Sequence, residues 1–153
     1  MKDVNQQVVW ITGASSGIGL SLTKRYLDDG WKVLASARTQ GELTPLLYAY
    51  ENLAFVPFDV SDIDQVGILQ NTLGVLTSHL DCVVLNAGTC EYLDMADENP
   101  DWEMMGRVMS VNFFGLMNSV EVCLPLLKKA ARPHLVGVSS QAVQAAFPQA
   151  EAY

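Results

Sequence analysis

Ser140 and Tyr153 stand thirteen residues apart at the C-terminal end of the sequence, and a hydroxyl beside a phenol can orient and protonate a developing oxyanion. A phenol with its ordinary pKa of about 10 does this poorly at neutral pH, and bringing it there takes ~4 kcal/mol of help from a nearby cation. No residue follows Tyr153 in the sequence to supply one. Near the other end, Thr12-Gly13-Ala14-Ser15-Ser16-Gly17-Ile18-Gly19 is a glycine-rich turn of the kind that lets backbone N–H groups meet a phosphate at the start of a helix. Three glycines in a turn can also serve only to join a strand to a helix.

These residues need elements to hold them, and the sequence supplies an alternation of short apolar strands with helical patterns. Strands are expected over 8–11, 33–35, 54–56, 83–85 and 135–138. The fourth, Val83-Val84-Leu85, is apolar on both faces, as a central parallel strand is. Helices are expected after the glycine turn, with Ile18, Leu22, Tyr26 and Leu27 on one side, and after the second strand, with Thr44 as cap and Pro45 in the first turn. Another opens at Ser61-Asp62-Ile63-Asp64 with Ile63, Val66, Leu69, Leu73 and Leu76 at helical spacing. A long one runs from Asn99-Pro100 to about Ala131, kinked by Pro125. Gly30 stops the first helix as a left-handed cap. Strand-helix alternation predicts right-handed crossovers, so the fold expected is a doubly wound α/β domain with a parallel sheet, one dinucleotide-binding domain over residues 1–153.

Composition narrows the partners. Half of the 153 residues are hydrophobic and 17% are charged, which suits one buried core. Nine Lys and Arg against 17 Asp and Glu give a net charge of -8, which argues against nucleic acid and against an anionic membrane surface. No run of consecutive apolar residues approaches the ~20 of a membrane span, and the polar start lacks the pattern of a signal peptide. Cys82, Cys90 and Cys123 are odd in number without CxxC spacing, so they are expected to be reduced thiols in a cytoplasmic protein rather than disulfides or metal ligands. His79 and His134 accompany no nucleophile elbow and are expected at the surface or at strand ends. The methionines between 104 and 117 suit core or subunit packing.

Thr-Gly-x-x-x-Gly-x-Gly at 12–19, Asn86-Ala87-Gly88 after the fourth strand, and Ser140 thirteen residues before Tyr153 together resemble the short-chain dehydrogenase/reductase family, in its single-domain branch. The resemblance runs through the whole chain and includes Asp59-Val60 after the third strand and Asn112 in the long helix. It implies a Rossmann-type sheet of order 3-2-1-4-5, which brings the turn after the first strand and the end of the fourth to one crevice. It further implies that Gly13, Ser15, Ser16, Gly17 and Gly19 meet the pyrophosphate side of a dinucleotide and that Ile18 lies by the nicotinamide half. Asp59 and Val60 would line the adenine pocket, and Asn86, Ala87 and Gly88 would face the cofactor. Taken singly, Asn86-Ala87-Gly88 reads equally as a strand-ending turn, and Asp59 as a residue that caps the following helix.

Arg38 lies nineteen positions beyond Gly19, where an acid would hold the ribose 2′-hydroxyl of NAD. Arginine there favours NADP over NAD, with hydroxyl help from Ser16, though a solvated strand-end arginine would look the same. The family's chemistry assigns Tyr153 as acid/base, Ser140 (rather than its neighbour Ser139) to orienting the substrate oxygen, and Asn112 to supporting a water relay. A lysine four residues past the tyrosine would lower its pKa, and position 157 is not in this sequence. The reaction expected is NADP-dependent hydride transfer to or from a small-molecule carbonyl or alcohol by a homo-oligomer. The 153-residue chain itself, lacking the family's C-terminal strands and helices, is expected to be inactive. The competing reading is a non-catalytic dinucleotide-binding module or an inactive fragment.

Overall fold

The computed structural model describes residues 6–144, 148–150 and 153. Five parallel strands form one sheet of order β3-β2-β1-β4-β5, comprising β1 (Val8–Thr12), β2 (Lys32–Ser36), β3 (Leu53–Phe55), β4 (Cys82–Leu85) and β5 (His134–Gly137). The expected architecture and strand order are therefore present. Register is set by full pairing of β1 with β2, from Val8 opposite Lys32 to Thr12 opposite Ser36. From β1 the chain steps outward to β2 and β3 on one side, then after β3 crosses back to β4 and β5 on the other side of β1.

Strand residues alternate between two cores, as the pleat requires. Trp10, Leu34, Val83 and Leu85 face the side covered by α3 (Gln65–Leu76) and α5 (Gly115–Leu127). Val9, Ile11, Val33, Ala35 and Val84 face α1 (Gly17–Asp28) and the short α2 (Thr44–Ala49). Complete burial of such side chains stabilises the fold by about 1.5–3 kcal/mol each. Trp10, the largest, is fully buried and donates its indole N–H to Ser36 Oγ at 2.9 Å, so no polar atom is stranded.

The first helix ends as expected. Gly30 has φ +82°, and the N–H groups of Gly30 and Trp31 close back on the carbonyls of Leu27 and Tyr26, both at 3.0 Å. This is a Schellman closure, and its hydrophobic contact is the edge-to-face pair of Tyr26 with Trp31 at 5.0 Å between centroids.

Four local expectations are corrected. The third strand is Leu53–Phe55, one residue earlier, because Val33 and Ala35 of β2 pair with Leu53 and Phe55. The helix expected from Ser61 starts at Gln65, since the Asp62 carboxylate accepts from the Asp64 N–H and the Gln65 amide and holds 61–64 as a turn. Ile63 is accordingly exposed. Thr44 does not cap α2, its hydroxyl donating instead to the Gly41 carbonyl at 3.1 Å. The long helix spans Glu103–Leu127 rather than about 99–131 and is interrupted by one π-helical turn, Ser110–Phe114, between α4 (Glu103–Met109) and α5.

Pro125 falls in the last turn of α5, where it leaves the Glu121 carbonyl without a helical donor. Gln70 of α3 fills that place, its Nε2 donating to Glu121 O at 2.9 Å. By length and mean hydropathy Glu103–Leu127 would suffice to cross a membrane. In this fold its Val122, Cys123, Leu126 and Leu127 are buried in the core against the sheet and α3, while Phe113, Phe114, Met117 and Leu124 are exposed. β5 is the last strand of the sheet among the described residues, with Leu135 and Val136 exposed.

Candidate active site

The site lies where the strand order switches, at the carboxyl ends of β1, β4 and β5. Gly13 leaves β1 with φ +65°. A Cβ placed there would stand 2.8 Å from Ala87 Cα, so the turn and the segment after β4 are in backbone contact. At Gly19 a Cβ would collide with the Gly13 carbonyl and stand 2.7 Å from Asn86 Nδ2. Both glycines are thus needed for the turn to fold back against α1 and β4. Ser16 precedes α1 in an extended conformation without a side-chain cap bond, which leaves the first-turn N–H groups aimed out of the helix end.

Two side chains weld this crevice. Asn86 donates through Nδ2 to the carbonyls of Thr12 and Gly13, both at 3.2 Å. The buried Thr12 hydroxyl accepts from the N–H groups of Asn86 at 3.1 Å and Ala87 at 3.2 Å. Sequence reasoning named Asn86 but not the role of Thr12; the available signal was a hydroxyl closing an otherwise apolar strand. Ala14 N–H, bonded to Ser36 O at 3.0 Å, ties the same turn to the end of β2.

Asn112 sits in the π turn. Its Oδ1 accepts from Thr89 N–H and its Nδ2 donates to Thr89 O, both at 2.8 Å, so the amide clamps the loop that leaves β4. A π turn inside a helix is a recurrent mark of functional positions. Immediately after it, Gly115 lets the helix touch Val60, since a Cβ would stand 2.6 Å from Val60 Cγ2. The buried Asn118 donates to Val60 O at 2.9 Å and fixes that residue from the other side. Sequence reasoning missed Gly115 and Asn118; an amide on an apolar helix face was the clue to the latter.

A cavity of about 480 Å³ opens between these parts, and Ile18, Val60, Asn86, Ala87, Gly88 and Asn112 line it together with Ser139, Ser140 and Tyr153. Eight of the sequence-predicted cofactor and catalytic positions, Val60 among them, thus converge on one space from six separate stretches of chain. Ser140 precedes a single 3-10 turn, Gln141–Val143, and its Oγ accepts from Ala142 N–H at 3.1 Å. Tyr153 is half exposed, with its N–H bonded to Ala150 O at 3.1 Å. Opposite stand Cys90 and its neighbour Tyr92. The Cys90 thiol, through hydrogen bonding and then charge, pushes the Tyr92 phenol above its usual value, with smaller contributions from burial and then from Tyr153.

The remaining predicted positions lie outside that cavity. Gly13, Ser15, Ser16, Gly17 and Gly19 form the turn behind it. Ser15 O accepts from Glu42 N–H at 3.2 Å, which docks the Gly41–Leu43 turn on the glycine loop. Arg38 is exposed just past β2 and has no ion pair or hydrogen bond among the described residues. The Asp59 carboxylate accepts from the N–H and hydroxyl of Ser61 at 3.0 and 2.7 Å, the turn-holding role.

The histidines stay clear of the cavity. His79 Nε2 meets Asp81 Oδ2 at 3.1 Å, and the same carboxylate oxygen accepts from Val8 N–H at 2.8 Å, a structural tie at the opposite end of the sheet. Among the described residues no cluster of His, Cys, Asp or Glu has the makings of a metal site.

A family profile described as short chain dehydrogenase matches residues 7–153. Similar relatives include a fatty acyl-CoA reductase of Acinetobacter baylyi, 31% identical over 99% of this chain and 53% of its own length. A benzil reductase of Saccharomyces cerevisiae that forms (S)-benzoin is 34% identical over 81% of this chain and 50% of its own. Among solved structures, an NADPH-bound carbonyl reductase from chicken fatty liver superposes with a TM-score of 0.87 at 26% identity, covering 97% of this chain and 64% of that one. An NADP complex of RhlG from Pseudomonas aeruginosa gives 0.86 at 28% identity, covering 96% and 60%. The chain spans about half the length of the curated relatives it matches.

Proposed function

The chain belongs to the short-chain dehydrogenase family of oxidoreductases, and from that premise we propose that it serves an NADP-dependent enzyme that interconverts a small-molecule carbonyl and its alcohol. The observation that carries this reading is the shared cavity, in which the Asn86–Gly88 segment and Ile18 meet Ser140 and Tyr153. The backbone contact of Gly13 with Ala87 and the uncapped start of α1 suit a dinucleotide pyrophosphate at 13–19. The bound nicotinamide supplies or accepts the hydride.

The chain's own residues do the rest. Ser140 Oγ orients the substrate oxygen, and the Tyr153 phenol delivers a proton to it as negative charge develops during reduction, or removes one in the reverse direction. Asn112 holds the Thr89 loop in place and, following the family, supports the proton path to Tyr153. Asp59 and Val60 border the adenine side. A homo-oligomer, a cytoplasmic setting and the absence of nucleic-acid and membrane partners complete the reading; the exposed Phe113, Met117 and Leu124 support the first of these.

NADP rather than NAD is assigned from Arg38, which is exposed just past β2 and has no acidic neighbour at 36 or 37. A charge-assisted hydrogen bond is worth about 1.5–3 kcal/mol, so Arg38→Ala should weaken NADP binding roughly 10- to 150-fold and NAD binding far less. Parallel titrations of both cofactors by nicotinamide fluorescence measure this. Equal losses for the two would remove the assignment.

A further inference from the structure

We infer that Gly115 and Asn118 are positioning residues for the cofactor, setting where Val60 stands and with it the affinity for the adenosine half of the dinucleotide. This rests on the reading above that Val60 borders the adenine side. Val60 lies in a turn between β3 and α3, outside any regular ladder of hydrogen bonds. Its carbonyl is held from α5 by the buried Asn118 amide at 2.9 Å. Its side chain rests on the backbone of Gly115, where a Cβ would stand 2.6 Å from Val60 Cγ2 and 3.0 Å from Val60 Cβ.

Gly115 has no room to retreat. Its N–H closes the π turn on the Ser110 carbonyl, and its own carbonyl accepts from the buried Ser119 hydroxyl at 2.7 Å. Just before it, Asn112 grips both backbone groups of Thr89. The helix is thereby tied to the segment after β4, and a methyl group on residue 115 would displace Val60 and not the helix. Val60, Gly115 and Ser119 line the same cavity, so that displacement alters the wall against which a planar base packs. A gap of about 0.5–1 Å already forfeits roughly a quarter to a half of each dispersion contact. Asn118 acts on the same wall from its other side, since without its amide the Val60 carbonyl would have to seek another donor.

The test titrates 2′,5′-ADP, which carries the adenosine half alone, into the full gene product by calorimetry, with folding followed by denaturant unfolding. Gly115→Ala is expected to weaken binding about tenfold, and Asn118→Leu, nearly equal in size but unable to hold the Val60 carbonyl, by about as much. Rescue separates positioning from a general loosening of the fold. Val60→Ala removes the methyl group at 2.6 Å, so in that background Gly115→Ala should cost less than about threefold. A loss undiminished there overturns the inference. If Gly115→Ala does not fold, Asn118→Leu decides; failure of both to fold makes the pair purely structural and overturns the inference too. A parent that does not bind 2′,5′-ADP removes the cofactor reading together with this inference. A parent that binds it, with folded variants within about threefold of its affinity, removes this inference alone.

Discussion

Tyr153→Phe is expected to lower kcat by about 10²- to 10⁴-fold while leaving NADP affinity within about twofold, because the ring stays and only the proton donor goes. The residue lines the same cavity as Ser140 and Ile18, so the loss should fall on chemistry and not on cofactor binding. Ser140→Ala should also lower turnover, by less, since it removes a positioning hydrogen bond and the cap on the following turn. Steady-state rates and NADP titrations on the gene product, with any residues that follow Tyr153, separate these effects. Retention of normal turnover by the phenylalanine variant would exclude Tyr153 as the acid. No Lys or Arg lines the cavity among the described residues. Catalysis at neutral pH therefore calls on a cation from elsewhere, which the family resemblance locates four residues past the tyrosine.

Gly13→Ala should have the second large effect. The new methyl group would occupy a left-handed backbone position and press on the Ala87 backbone at 2.8 Å, and together these cost about 2–5 kcal/mol. The cost divides between global stability and NADP affinity, because relief requires moving the turn away from the Asn86–Gly88 segment. Gly67→Ala is the matched control. Gly67 lies inside α3 with nothing within 4 Å of a built Cβ, so alanine there should stabilise the helix by about 0.5–1 kcal/mol. Denaturant unfolding and NADP titration of both variants check the pair; a Gly13→Ala protein as stable as the parent and with unchanged NADP affinity would mean that the turn has no such contact.

The parts of this structure that were legible from sequence are those whose signal is local or carried by a pattern of burial. Val8-Val9-Trp10-Ile11 and Val83-Val84-Leu85 announce central parallel strands because both faces of each are covered, and the β1-turn-α1 unit is written in the three glycines. The strand order came with the family resemblance. What escaped was set by partners distant in sequence. Nothing near residue 112 tells of a π turn whose asparagine binds Thr89. Nothing near Pro125 tells that Gln70 completes the helix at Glu121. The start of α3 was misplaced because a helical spacing of apolar residues says nothing about Asp62 capturing the Asp64 N–H and the Gln65 side chain. Most site residues named from the family line one cavity, whereas Asp59 holds a turn at Ser61 and does not cap the helix that follows, which starts at Gln65.

Ketone-dependent oxidation of NADPH by the gene product, with the alcohol formed measured alongside, tests the central claim most directly. The account predicts one alcohol for each NADPH consumed, a clear preference for NADPH over NADH, and loss of both signals in Tyr153→Phe. NADPH that binds at the glycine turn but is never oxidised by any ketone would contradict it and leave a non-catalytic dinucleotide-binding module in its place.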